Sequence, residues 1–198
     1  MPKHVMIRQL PRTIAVLGLL LPLLVPGAGY AQGFVSPLIG YDFGGDSGCP
    51  AITGCEDKNL NIGVAVGSLG NVLGSELEFA YARDFFGDIP NASSSVLTLM
   101  GNVMLAPRFG VAQPYALIGL GLIRTHVEFS IPSVLESDNN HFGWDVGGGL
   151  IIDLGRRVGV RGDLRHFHAF QDLNLLGISL GDTKLDFGRA AAGLVLRF

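Results

Sequence analysis

The sequence predicts an all-β fold: an antiparallel eight-stranded up-and-down transmembrane β-barrel behind a removable export signal. Three observations predict it. Eight segments alternate with period two, with one face apolar and the other small or ionic. The connections between them alternate between long and polar, and short. Beyond residue 31 the only lysines are Lys58 and Lys184, whereas a soluble β-domain spreads many Lys and Glu over its wet faces and edges.

The first 31 residues read as a secretory signal. Lys3, Arg8 and Arg12 make a basic start, an apolar run follows from Ile14 to Val25, and Gly29 and Ala31 place small residues before a cut at Gln32. That run is shorter than the roughly 20 residues a membrane helix needs, which disfavours a retained anchor. The domain expected is therefore 32–198, with no room for a second one. Cleavage would leave 11 of the 14 Lys and Arg against all 17 Asp and Glu, a formal charge of −6. Such a surface does not attract nucleic acid. No later apolar run spans a membrane as a helix, so a closed barrel is the remaining way to pair every backbone polar group in lipid.

The strands are expected at about 34–43, 59–67, 75–84, 95–105, 114–126, 143–153, 158–168 and 186–198. In the first, Ile39, Tyr41 and Phe43 oppose Gly40 and Asp42. The second sets Leu60, Ile62, Val64 and Val66 against Asn61, Gly63, Ala65 and Gly67. The third is the clearest, with Leu77, Phe79 and Tyr81 against Glu76, Glu78, Ala80 and Ala82. The fourth opposes Leu97, Leu99, Val103 and Leu105 to Thr98, Met100 and Asn102. The fifth is mixed, because Leu117 and Ile123 share a face with Gly119 and Gly121. The sixth sets Trp144, Val146, Leu150 and Ile152 against Asp145, Gly147, Gly149 and Asp153. The seventh opposes Val158, Val160 and Leu164 to Arg161, Asp163 and Arg165. The last carries Ala190, Ala192, Leu194, Leu196 and Phe198 on one face and Arg189, Ala191, Gly193 and Arg197 on the other. Long connections are expected at 44–57, 85–94, 127–142 and 169–185, and short ones at 68–74, 106–113 and 154–157. That arrangement is the outer-membrane plan, with both chain ends on the short-turn, periplasmic side.

Alternation alone does not say which face is enclosed. The charged residues Glu76, Glu78, Asp145, Arg161, Asp163 and Arg165 share their face with Gly and Ala, which suit the cramped interior of an eight-stranded barrel. The apolar face is therefore expected to meet lipid. Glu76 and Glu78 are expected to meet Arg161 and Arg165 across the lumen, because the third and seventh strands stand opposite in an eight-membered ring. Pairing with neighbouring strands or lumen water is the alternative.

The stretches Glu76–Tyr81, Pro114–Gly121, Gly143–Gly149 and Val160–Arg165, in that order before a terminal Phe198, resemble the OmpA/OmpX-type outer-membrane β-barrel family of Gram-negative bacteria. The resemblance implies that the last strand, through Leu194, Leu196 and Phe198, is the signal read by the barrel-assembly machinery. It also implies a home in outer-membrane lipid and lipopolysaccharide. A peptidoglycan-binding domain of the kind some members carry is not expected.

Cys49 and Cys55 sit in the first long connection, and an oxidising compartment favours a disulfide between them. His126, Glu128, His141, His166, His168 and Asp172 fall near the expected outer rim, where such groups suit a metal or a general base. No serine stands beside either of His166 or His168 at a base-and-orienter spacing. No catalytic residue, cofactor or resident metal is assigned. The long connections are acidic, through Asp46, Glu56, Asp57, Asp88, Glu136, Asp138, Asp172 and Asp182. Carboxylates there suit a divalent-cation bridge to lipopolysaccharide phosphates. The function expected is a structural or surface-interaction role through the outer loops, without an open pore. A lipid A-modifying enzyme and a secreted soluble ligand-binding β-barrel are the alternatives.

Overall fold

The structure is a computed structural model that describes the backbone of residues 31–45, 47, 59–85, 92–129, 135–175 and 178–198. Apart from Ala31, the expected export signal lies outside the described residues, as do Cys49 and Cys55 and their expected disulfide.

Eight strands close into one barrel in sequence order: β1 Gln32–Phe43, β2 Leu60–Leu69, β3 Leu73–Arg83, β4 Ala92–Leu105, β5 Ala112–Phe129, β6 Leu135–Asp153, β7 Val158–Leu175 and β8 Ile178–Arg197. Every neighbour is antiparallel, and β1 closes on β8 with Tyr41 opposite Ala190 and Val35 opposite Leu196. Closure leaves no unpaired edge, the condition a sheet must meet in hydrocarbon. The β1–β8 ladder lapses at Ser36 and Pro37, the latter having no N–H to give. It is secured at the base by Phe198 N donating to Gly33 O at 3.0 Å.

Side chains sort by face as alternation requires. Ile62, Ile118 and Leu164 stay about 60% exposed on the outside, whereas Glu78, Asp145 and Arg165 are buried inside. An apolar wall this continuous has no place in water, because soluble monomers rarely expose apolar patches beyond a few hundred Å². Leu117 and Ile123, the residues that blur the fifth segment, point inward and are buried.

The outer ends of four strands differ from expectation. The sequence predicts loops over 127–142 and 169–185, yet β5 runs to Phe129, β6 starts at Leu135, β7 reaches Leu175 and β8 starts at Ile178. Their ladder continues through Phe129↔Leu135 on one hairpin and Leu175↔Ile178 on the other. β5–β8 have 18 to 20 residues, against 10 to 14 for β1–β4. A tilted strand crosses the bilayer in roughly 9–11 residues. The extra length carries the β5–β6 and β7–β8 ladders beyond that span as two hairpins, whose polar residues, such as Glu136, Asp138, Asp172 and Asp182, favour a loop in a reading of the sequence. The β7–β8 pairing shifts register between His168 and Asp172 and again before Asn174. At the opposite end the connections are short. The one after β4 closes with a Phe109↔Ala112 bridge and Gly110 at φ 62°, a left-handed turn conformation that favours glycine.

Candidate functional site: the lumen

The inward faces build three layers. Nearest the periplasm is an apolar floor that includes Phe34, Leu69, Met104, Leu117, Ile151 and Val195. At the outer end lies an apolar roof that includes Phe85, Met100, Ile123, Phe167, Leu185 and Phe187. Between them sits an ionic belt of three guanidinium groups, Arg161, Arg165 and Arg189, among five carboxyl groups, Asp42, Glu76, Glu78, Asp145 and Asp163.

Arg161 is held on three sides. Its Nη1 lies 2.9 Å from Glu76 Oε2, and its Nη2 2.7 Å from Asp163 Oδ2. Nη2 and Nε also donate to the Tyr115 hydroxyl at 2.9 and 3.2 Å, while that hydroxyl donates to Asp163 Oδ2 at 2.7 Å. Arg165 is the hub. Its Nη2 is 2.7 Å from both Glu76 Oε1 and Glu78 Oε2, its Nε 3.3 Å from Asp163 Oδ1, and its Nη1 3.5 Å from Asp145 Oδ2. The Glu78 Oε2 contact is at ion-pair distance without hydrogen-bond alignment. With its amide oriented to satisfy both neighbours, Asn102 donates to Asp145 Oδ1 at 2.8 Å and accepts from Arg165 Nη1 at 3.1 Å.

Arg189 forms a second node. It grips Asp42 with both arms, Nε to Oδ1 at 2.7 Å and Nη2 to Oδ2 at 3.0 Å, and its Nη1 donates to Thr98 Oγ1 at 3.1 Å. Asn61 donates to the same Asp42 Oδ1 at 2.7 Å. The guanidinium lies over the rings of Phe167 and Phe187 at 4.8 and 5.7 Å, so it joins the belt to the roof. Buried charges need this density of partners, since a lone one costs several kcal/mol.

Small residues on the same face make room. A Cβ on Gly147 would lie 2.9 Å from Arg165 Cγ and closer still to the Leu164 carbonyl. The six charged residues singled out from sequence thus lie together in one network. Asp42, Arg189 and Tyr115 belong to it as well. Their inward parity is visible in the alternation, but only the ring geometry shows that they reach the same charges.

The rim histidines separate. His141 points inward from β6, is buried, and neither ring nitrogen has a hydrogen-bond partner among the described residues. His166 and His168 face outward beside Trp144, with ring centroids 5.8 and 5.6 Å from it. They converge on Asp186 of β8, His166 Nε2 and His168 Nδ1 lying 3.3 and 3.1 Å from its Oδ2. The side chains of Asp172 and Glu128 lie outside the described residues. Among the described residues neither His166 nor His168 has a hydroxyl or thiol hydrogen-bond partner, and the described His, Cys, Asp and Glu form no metal-binding group.

A closed eight-stranded barrel with a lipid-facing apolar wall and a charged interior defines an integral outer-membrane barrel protein. The family model for the outer membrane protein beta-barrel domain matches residues 24–198, and the chain belongs to that family. Solved structures agree in fold. A major outer membrane protein from Thermus thermophilus superposes with a TM-score of 0.62 at 15% identity, over 85% of this chain and 100% of that one. Neisserial surface protein A gives 0.59 at 12%, over 87% and 100%. Ail, the attachment invasion locus protein of Yersinia pestis, gives 0.54 at 12%, over 85% and 97%. No curated protein matches the chain by sequence. The protein is thus placed in the outer membrane.

Proposed function

We propose that the protein is a non-conducting outer-membrane barrel that acts through its outer surface. One observation carries the reading: an ionic belt lies between two apolar layers, so ions would have to cross both a dehydrating and a charged barrier. The projecting β5–β6 and β7–β8 hairpins support a surface role, because a purely structural plug needs no strands beyond the membrane. Ail, one of the fold neighbours, has been crystallised with the heparin analogue sucrose octasulfate. The acidic outer segments of the present chain would repel such a polyanion. A cationic surface, or lipopolysaccharide phosphates bridged by Ca²⁺ or Mg²⁺, suits them better.

The test is planar-bilayer conductance of the folded protein. No unitary steps are expected, whereas regular steps that vanish on heat unfolding would overturn the non-conducting reading. The outward-facing His166, His168 and Asp186 keep one rival in view, chemistry on lipid A. Mass analysis of lipid A from wild-type and deletion strains is expected to show no difference.

A further inference from the structure

The described residues at the periplasmic end carry a charge pattern opposite to that of the outer segments. Arg108 follows β4, Arg156 and Arg157 form the turn after β6, and Arg197 ends β8. Among the described residues, Asp153 is the only acidic side chain at this end. It is already engaged by Arg197 Nη1 and lies 3.5 Å from Arg108 Nη2. Arg156 and Arg157 are exposed, and their side chains have no hydrogen-bond or ion-pair partner among the described residues.

These cations are gathered, not spread round the ring. Asp153 N donates to Val111 O at 2.8 Å, which fastens the turn after β4 to the end of β6. Arg197 N donates to Arg157 O at 2.8 Å, which fastens β8 to the turn after β6. The turn after β2, Gly70-Asn71-Val72, holds no charge. The basic side chains therefore occupy the β4–β8 sector of the rim alone. The same sector holds Phe109, Leu154 and Phe198, which at 66%, 67% and 76% are the most exposed large apolar residues described. They continue the lipid-facing wall of Ile152, Val158 and Leu196.

We propose that this sector binds an anionic phospholipid of the inner leaflet. Arg108, Arg156 and Arg157 hold its phosphate, and the chain ends nearest the headgroup lie against Phe109, Leu154 and Phe198. The occupant must be amphiphilic, because the apolar surface is continuous with the membrane wall while the cations face the aqueous edge. Its polar part must be anionic, because the guanidinium groups outnumber the local carboxylate. Arginine suits a phosphate better than lysine does, since its planar fork donates two parallel hydrogen bonds. The proposal rests on the outer-membrane placement, which sets this rim at the inner-leaflet headgroups.

The experiment reads lipid retained by the purified, folded full-length barrel in native mass spectrometry. The protein is reconstituted with equal mole fractions of phosphatidylglycerol and phosphatidylcholine. Wild type is expected to retain phosphatidylglycerol preferentially. The Arg108→Gln/Arg156→Gln/Arg157→Gln variant is expected to lose that preference, by roughly fivefold per arginine removed. Phe109→Ala/Leu154→Ala should weaken retention of both lipids while keeping the preference. Equal retention of the two lipids by wild type, or an unchanged preference in the triple variant, overturns the proposal. So does displacement of phosphatidylglycerol by millimolar inorganic phosphate, which would mark a free-anion site. Heat-modifiable migration of the same samples reports barrel integrity, so a folded barrel without lipid preference defeats this inference and leaves the membrane placement standing.

Discussion

Arg161 of β7 and Glu76 of β3 stand 85 residues apart in sequence, yet the guanidinium Nη1 lies 2.9 Å from the carboxylate Oε2, both buried. They come from opposite walls of the ring, so their contact spans the lumen. Such a bond ties the barrel across its diameter in a way that no backbone ladder does.

The neighbouring hub should respond asymmetrically to mutation. Arg165 is shared by Glu76, Glu78, Asp145 and Asp163. Arg165→Met leaves those acids facing one another and is expected to cost about 3–5 kcal/mol. Glu78→Gln removes only one of the acids competing for the cation and is expected to stay within about 1 kcal/mol of wild type. Equilibrium urea unfolding in lipid vesicles measures both, and equal losses would contradict a belt limited by its cations. The swap Glu78→Arg with Arg165→Glu should recover part of what Glu78→Arg alone loses.

Glycine should matter by face. Gly147 points inward against Arg165 and the Leu164 carbonyl, so Gly147→Ala must displace backbone or the hub, at about 1–3 kcal/mol. Gly162 faces lipid, and the nearest atom to an added Cβ there is the Ala191 carbonyl oxygen at 3.8 Å. Gly162→Ala is expected to be neutral or to stabilise by about 0.4–1 kcal/mol through the unfolded chain. The same urea titration reads the pair, and equal effects would argue against a crowded interior.

Trp144 is the single tryptophan of the sequence and faces outward near the outer histidines. Its fluorescence therefore reports one depth. Emission is expected to be blue-shifted in vesicles, and quenched more by lipids brominated near the headgroup than by lipids brominated at the chain end. Emission typical of bulk water in the folded protein would move the residue off the membrane face.

The Phe198 ring packs on Gly33, where a Cβ would come within 2.6 Å of it, and Phe198 N closes the β1–β8 seam. If Leu194, Leu196 and Phe198 serve as an assembly signal, Phe198→Ala should lower the folded outer-membrane fraction in cells severalfold. The refolded protein should lose no more than about 2 kcal/mol in vitro, because the side chain is largely exposed. Equal losses in both settings would make Phe198 a stabilising residue only.

The parity of each strand is legible in the chain. In Glu76-Leu77-Glu78-Phe79 the two faces meet lipid and lumen, and those two surroundings force residue chemistry to alternate at every step. The outer ends are less legible: β7 from Phe170 to Leu175 and β8 from Ile178 to Lys184 pair as strands, but their alternation is brief and mixed with Gln171, Asp172, Asp182 and Lys184, which read as a polar connection. The contact of His168 with Asp186 is likewise hidden in the chain, because Asp186 lies on the neighbouring strand β8 and only the pairing of the two strands brings them together.

Sequence alone therefore determined which residues are enclosed and which meet acyl chains, since parity sorts each strand into two faces and the charges set among Gly and Ala mark the enclosed one. Only the closed tertiary structure decided which enclosed charges meet. Closure fixes the register and stagger of all eight strands at once, and that stagger sets the heights at which Arg161, Arg165 and Arg189 face Glu76, Glu78 and Asp42.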